Sequence, residues 1–262
     1  MMTPELTAAL AASAQTIAVV MVCVWLLSLI LKDASIVDLV WGLGFVLVAW
    51  TVFIGVPGQS VTRNLLVGLT TLWGLRLSIY LAWRNLGKPE DFRYQQMRNR
   101  RRWFPLKSLY IVFGLQGLVM WIVSLPLQVG IATSQTGWSW LHGVGAGVWA
   151  TGLFFEAVGD WQLARFRANP ENAGQVLDTG LWRFTRHPNY FGDFLVWWGL
   201  YFVAIGQSDG WWTAIGPIVM SVFLMRVSGV TLLEKSLENT KPAYAAYVAK
   251  TNAFFPGPPK QL

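Results

Sequence analysis

Apolar positions fall in continuous runs along this chain, not in alternation. Runs near 15–31, 36–55, 64–83, 108–131, 139–159, 190–207 and 211–231 each match the roughly 17–25 residues that a helix needs to cross a hydrocarbon core. A membrane β-barrel would need short strands of alternating polarity instead. The pattern therefore predicts an all-α integral membrane protein of about seven transmembrane helices. It forms a single polytopic domain over 1–262, with one half over about 15–131 and the other over about 139–262. Residues 15–31 lack both a basic stretch before them and a small-residue cleavage site after them, so they read as a retained span and not as a signal peptide. Residues 231–250 read as an interfacial helix interrupted at Pro242, with Tyr244 and Tyr247 at the membrane boundary.

Composition agrees with that reading. The chain is 54% hydrophobic and 13% charged, against about 25% charged in ordinary soluble domains. A single cysteine, Cys23, rules out an internal disulfide, and two histidines, His142 and His187, are too few for a histidine-built metal site, so no metal is expected. The net charge of +7 is explained by topology without nucleic acid. Arg93, Arg98, Arg100, Arg101, Arg102 and Lys107 crowd the segment 91–107. Arg165, Arg167, Arg183, Arg186, Lys235, Lys241, Lys250 and Lys260 fall on the same side when spans are counted outwards, and the opposite loops offer only Arg63. Cytoplasmic loops carry such an excess of Lys and Arg. The N-terminus is thus expected outside and the C-terminus in the cytoplasm.

Against this apolar background the polar residues stand out. Arg165, Arg167, Asn169, Asn172, Arg183, Arg186, His187, Asn189 and Tyr190 fall within twenty-six residues. Guanidinium groups bind phosphate through paired charged hydrogen bonds, and Asn and Tyr suit an amide or a ribose, so the group reads as a site for a phosphorylated cofactor. The alternative is that the arginines only mark the cytoplasmic side. The segment 160–189, about thirty residues, is expected to be a loop ordered around a ligand. Charges inside spans are costly and normally face a cavity or a partner; Asp38, Arg76, Glu156 and Asp193 are of this kind. Asp193 belongs with the His187 group. Glu156 and Asp160 share one helix face, to pair with arginines or to bind a ribose or amide. Asp38 and Trp41 share a side of the second helix, and Arg76 and Tyr80 a side of the third. An Asp38–Arg76 ion pair and a substrate-pocket role both fit. The stretch Gly143-Val-Gly-Ala-Gly147 follows no strand and reads as helix packing, not as a nucleotide loop. Most of the sixteen tryptophans suit interfacial belts, while Trp41, Trp73, Trp182, Trp197 and Trp198 lie near the polar candidates.

The segment "GLWRFTRHPNYFGDFLVWWG", with "FEAVGDWQLARFRANPEN" before it and "EKSLENTKPAYAAYVAKTNAFFP" after it, resembles the steroid 5α-reductase family, specifically its bacterial homologues. The resemblance covers nearly the whole chain, and Arg-His-Pro-Asn-Tyr is its most specific part. Isoprenylcysteine carboxyl methyltransferases, which use S-adenosylmethionine, share a similar Arg-His-Pro-x-Tyr element and a C-terminal Glu-Glu pair. Here Lys235 follows Glu234, and that departure, with the abundant arginine, favours NADPH. The resemblance implies a 3-oxo-5α-steroid 4-dehydrogenase-like oxidoreductase of the bacterial inner membrane. NADPH would bind on the cytoplasmic side in the 139–262 half, and a steroid or similar enone lipid would enter the 15–131 half from the bilayer. Membrane lipids are the other expected partners, with no nucleic acid and no obligate protein partner. Carried over by motif, Asn172, Asp178, Arg183, Arg186, His187, Asn189, Tyr190 and Asp193 are cofactor contacts; Asn85 of "RNLGKP" joins them, with Arg165 and Arg167 among the arginines that would select NADPH over NADH. The family polarises its substrate's carbonyl with a glutamate and a tyrosine. Asp38 and Tyr80 are the nearest equivalents, with Trp41 and Trp73 as substrate contacts, and Trp41, Trp73, Glu90 and Tyr94 are the next candidates for the polarising role if that pair fails. Two further readings stay open: an S-adenosylmethionine-dependent isoprenylcysteine or phospholipid methyltransferase, and a non-enzymatic lipid transporter built on Asp38 and Arg76.

Overall fold

In a computed structural model, residues 3–227 and 244–260 are described. Glu234, Lys235 and the interruption at Pro242 lie outside them. The described residues are helical, without strands. Helix α1 (Pro4–Leu31) starts well before the apolar run, because Thr3 accepts a hydrogen bond from Leu6 N and Pro4 opens the first turn. It ends where Lys32 turns left-handed, at φ 56°. The predicted second span is broken. A single turn, α2 (Ile36–Leu39), is followed at Val40 by a new start, α3 (Trp41–Gly55). Asp38 therefore lies in a turn ahead of the apolar helix and not within it.

Helix α4 (Val61–Asn85) is capped by Ser60, whose hydroxyl accepts from Arg63 N. The basic segment forms α5 (Phe92–Arg100), capped by Asp91. The next helix, α6 (Phe104–Val123), contains a π-helical turn at Leu109–Gly114. Ser124 interrupts the predicted fourth span, and α7 (Leu125–Thr133) follows with Pro126 in its first turn. Helix α8 (Trp140–Ala168) runs nine residues beyond the predicted span, so the loop expected from 160 begins at 169. The remainder comprises α9 (Pro188–Ile205), α10 (Trp211–Arg226) and α11 (Tyr244–Lys250). Three of these helices, α1, α4 and α6, are long and apolar enough to cross a membrane.

The chain forms two compact units. One comprises Met1–His142 with Leu200–Gly216, the other Gly143–Gly199 with Pro217–Leu262. In the first, α3 packs on α4 where Gly42 meets Gly74: a methyl group on Gly74 would lie 2.5 Å from Gly42 O. The close approach lets Ser78 Oγ accept from Leu43 N, one of the unpaired donors in the first turn of α3. Phe45, Trp73, Leu66 and Leu127 fill the interior. Arg63 is buried, 4% exposed, and donates to the carbonyls of Phe53, Val56 and Ile131 at 2.9, 2.6 and 2.9 Å. His142 is buried too. Its Nδ1 accepts from Ser139 N, which leaves Nε2–H to donate to Thr62 Oγ1 at 2.8 Å.

In the second unit α8 and α9 cross through glycines. A Cβ on Gly199 would meet Gly145 O at 2.7 Å, and one on Gly152 would meet Gly192 O at 2.6 Å. Gly145 thus serves helix packing, as its surroundings in the sequence suggested. Helix α11 does not present its tyrosines outwards. Tyr244 and Tyr247 are buried, 3% and 7% exposed, because the Tyr247 hydroxyl finds an acceptor in Trp182 O at 2.5 Å.

Candidate active site

The first unit holds a directed chain of polar groups. Trp41 Nε1 donates to Gln116 Oε1 at 2.5 Å, Gln116 Nε2 donates to Tyr94 Oη at 3.0 Å, and Tyr94 Oη donates to Asp38 Oδ1 at 2.9 Å. Arg93 Nη2 donates to the other oxygen, Asp38 Oδ2, at 3.1 Å, while Arg93 Nε reaches Asp91 Oδ1 at 2.9 Å. Four elements meet here. The turn α2 brings Asp38, α3 begins with Trp41, α5 supplies Arg93 and Tyr94, and α6 supplies Gln116 just past its π turn. A π turn holds an extra residue, so it rotates the face presented by everything after it.

Helix α5 is fixed against the turn by further bonds. Glu90 Oε1 accepts from Ala34 N at 2.8 Å, and Arg98 holds Glu90 with two bonds while donating to Lys32 O at 3.2 Å.

The charges perturb one another. Burial pushes the Asp38 carboxyl above its ordinary range, with Arg93 and the Tyr94 hydroxyl pulling it part of the way back. Burial and the neighbouring Asp38 charge push the Tyr94 phenol up. Burial would raise Asp91 as well, but hydrogen bonds from Arg93 outweigh it and hold that carboxyl below the usual range.

Two of the residues singled out in the sequence, Asp38 and Trp41, thus belong to one hydrogen-bonded chain. The phenol that reaches Asp38 is Tyr94, and the cation that pairs with it is Arg93. Tyr80 instead lies beneath two guanidinium groups, Arg76 at 5.3 Å and Arg84 at 5.7 Å from its ring centre. Trp73 is fully buried beside Phe45. Asn85 ends α4 and accepts from Arg84 Nε at 3.1 Å. Tyr94 stood in the sequence as a next candidate after Asp38 and Tyr80, and Arg93 was hidden by the arginines around it, which charge bias already explained. Gln116 carried a signal, an amide inside a long apolar run, as did Gln128.

In the second unit the helix crossing brings acids of α8 beside the start of α9. Glu156 and Asp160 are buried, and Asn189 Nδ2 donates to Asp160 Oδ1 at 3.1 Å. Asp193 follows one turn along α9. His187 stacks on Tyr190, ring centres 5.5 Å apart and nearly parallel. The preceding segment is sewn down by the chain itself. Leu181 N donates to Gln162 Oε1, Trp182 Nε1 to Gly159 O, and Thr185 Oγ1 to Phe254 O. Arg186 is buried and donates through Nη1 to the carbonyls of Val248 and Thr251 at 3.2 and 2.7 Å, which gives it a role in holding the C-terminal segment. Arg165, Arg167, Arg183 and Asp178 are exposed, and Asn172 Nδ2 donates to Phe166 O. Exposed guanidinium groups are donors of the kind that bind phosphate, and the buried carboxyls of the same unit are acceptors for hydroxyl or amide hydrogens.

The class defined by this fold is that of all-helical proteins with helices able to cross a membrane. A family model described as "Protein of unknown function (DUF1295)" matches residues 24–251, and the chain belongs to that family. The family is associated with steroid 5α-reductase-like proteins. The chain is similar to an uncharacterized protein of Schizosaccharomyces pombe, at 26% identity over 271 residues, covering 88% of this chain and 75% of that protein. No solved structure matches it.

Proposed function

We propose that the chain is an NADPH-dependent membrane reductase that saturates the C=C bond of a 3-oxo-Δ4 steroid or a similar enone lipid. It would cross the bacterial inner membrane about seven times, with the second crossing starting at Trp41. The observation that carries the reading is the hydrogen-bonded pair of buried Tyr94 and half-buried Asp38, with Gln116 and Trp41 orienting it. Reduction of an enone builds negative charge on the carbonyl oxygen, and a preorganised donor in a water-poor site stabilises that charge. Tyr94 replaces Tyr80 in this role, because the Tyr94 hydroxyl is the one that reaches the carboxyl.

NADPH, when bound, supplies the hydride for the enone β-carbon. The chain's own residues handle the oxygen. With Asp38 protonated, its O–H donates to Tyr94 Oη, and the Tyr94 hydrogen turns to the substrate carbonyl. Gln116 donates to the same phenol oxygen and keeps it in place. Exposed Arg183, Arg165 and Arg167 would hold phosphate, and the Asp160–Asn189 pair would hold a ribose or amide.

The test uses purified full-length protein, NADPH and an enone steroid, with loss of nicotinamide absorbance as the readout. Tyr94→Phe is expected to lower turnover about 100- to 1,000-fold, the usual loss of a transition-state donor, with NADPH affinity unchanged. Saturable binding of S-adenosylmethionine without NADPH binding would overturn the reading in favour of a methyltransferase. Binding of neither cofactor would favour a lipid transporter.

A further inference from the structure

A concavity lies in the first unit, at the end of α1. It encloses about 650 Å³, and its lining includes Ser28, Leu29, Lys32, Glu90, Arg98 and Pro105. Its two halves differ in chemistry. Leu29 and Pro105 make an apolar wall over the buried Phe104 ring, and Trp25 Nε1 of α1 donates to Pro105 O at 3.0 Å. Lys32 and Arg98 make a cationic end. Arg98 is held by Glu90 through Nε and Nη2 and lies over the Phe104 ring at 5.0 Å. That pairing neutralises Glu90. Neither the Lys32 ammonium nor Arg98 Nη1 has a hydrogen-bond partner among the described residues, so both cations keep N–H donors for an anion, with Glu90 and Asp33 the carboxylates that act on Arg98.

The surroundings indicate what kind of ligand fits. Concavity and α1 meet where a helix able to cross a membrane ends, and Leu26, Leu27, Ile30 and Leu31 are exposed on that helix. Trp103 and Tyr110 are exposed beside it at 61% and 72%, as aromatics at a membrane boundary are. Arg100, Arg101, Arg102 and Lys107 are exposed on the same segment. Basic pockets beside membrane-spanning helices bind anionic lipid head groups, and the apolar wall continues along α1 in the direction that an acyl chain would take.

We infer that this concavity is a binding site for one anionic phospholipid, its phosphate between Lys32 and Arg98 and its acyl chain against Leu29 and Pro105. The inference uses the membrane reading of the helices and is independent of the reductase reading.

The test uses full-length protein in neutral detergent, with phosphatidylglycerol, phosphatidylcholine or inorganic phosphate added, followed by thermal unfolding and native mass spectrometry. Phosphatidylglycerol at saturating concentration is expected to raise the midpoint by roughly 5 °C, with one lipid retained, while phosphatidylcholine and inorganic phosphate do not. Lys32→Gln is expected to weaken phosphatidylglycerol binding roughly fivefold, Lys32→Arg to restore it, and the triple variant Arg100→Gln, Arg101→Gln, Arg102→Gln to bind as the unaltered protein does. Equal binding of phosphatidylcholine would overturn the inference. So would undiminished binding by Lys32→Gln, or a loss confined to the triple variant, which would mark a diffuse surface attraction. A full shift with inorganic phosphate alone would assign the pocket to a free anion and overturn the lipid. Should Lys32→Gln not fold, the lipid comparison on the unaltered protein still decides.

Discussion

At the scale of single residues, the direction of one proton governs the candidate site. With Asp38 ionised, Tyr94 donates to it, at 2.9 Å, and has no hydrogen left for a carbonyl. With Asp38 protonated the order reverses and the phenol becomes a donor to substrate. Because burial raises the Asp38 carboxyl, the protonated form persists above the ordinary carboxylate range. Turnover is therefore expected to fall as pH rises through that raised value. Asp38→Asn, which stays neutral and keeps an N–H donor, should flatten the alkaline limb; a kcat profile from pH 5 upward checks this. The neighbouring Asp91 behaves oppositely. Arg93 holds its carboxyl below the unfolded value, so its stabilisation is complete above the unfolded pKa of about 4 and is lost as pH falls through the lower, folded value. Asp91→Ala should lower stability by about 1 kcal/mol at neutral pH, the usual worth of a helix cap. That difference should shrink in acid, as read from denaturant midpoints between pH 7 and pH 3.

At the scale of elements, glycine spacing decides how close two helices come. Gly145 and Gly152 on α8 stand seven residues apart, as do Gly199 and Gly192 on α9, so antiparallel helices meet at two backbone contacts. Gly152→Leu would place its side chain where Gly192 O and Val196 N now lie. Forcing atoms into a packed contact typically costs about 1–3 kcal/mol, and thermal unfolding should show it; an unchanged midpoint would mean that the helices move apart freely. Elements of this kind were readable in the sequence because each apolar run is continuous, and the glycines of 143–147 carried no strand before them. The break at Val40 was not readable, since nothing in the apolar run 36–55 marks a boundary between α2 and α3. Nor was the π turn, which lies inside an unbroken run and alters which side Gln116 faces. Tyr94 was legible only as an alternative to Asp38 and Tyr80. Its neighbours Arg93, Arg98 and Arg100 look like a topological signal, and only folding shows that Arg93 and Arg98 are bound to Asp38, Asp91 and Glu90. Tyr247 was misplaced because a tyrosine near a predicted membrane boundary looks interfacial, whereas its hydroxyl found a buried carbonyl.

At the scale of the whole molecule, charge supplies a testable expectation for the side of the membrane. Under the proposed topology, single cysteines replacing exposed Arg101 or Arg167 should resist an impermeant thiol reagent on intact cells, while one replacing exposed Gly58 or Gln135 should react. The native Cys23 is exposed on α1 and must first be replaced by alanine. Reaction at Arg101→Cys in intact cells would reverse the orientation. The same experiment bears on the cofactor, since Arg167 and Arg183 lie in the unit proposed to bind NADPH. Arg183→Ala should narrow the preference for NADPH over NADH by about tenfold, corresponding to one lost charged hydrogen bond, measured as the ratio of the two dissociation constants.

Arg63 has a consequence for biogenesis. A bare guanidinium at a helix centre opposes entry into hydrocarbon by about 2.5–3.5 kcal/mol; Arg63, in the first turn of α4, faces part of that cost because it is buried away from water. Its acceptors at Phe53 and Val56 belong to α3 and the turn that follows, ten and seven residues earlier in the chain. The hairpin of α3 and α4 carries two of the three acceptors, and Ile131 O of α7 completes the set later in the chain. Leaving the translocation channel as a pair shields the cation in part, whereas α4 alone would expose it. Truncated nascent chains that end shortly after Asn85 should therefore lose integration when Phe53 to Val56 are deleted, although the hydropathy of α4 itself is unchanged.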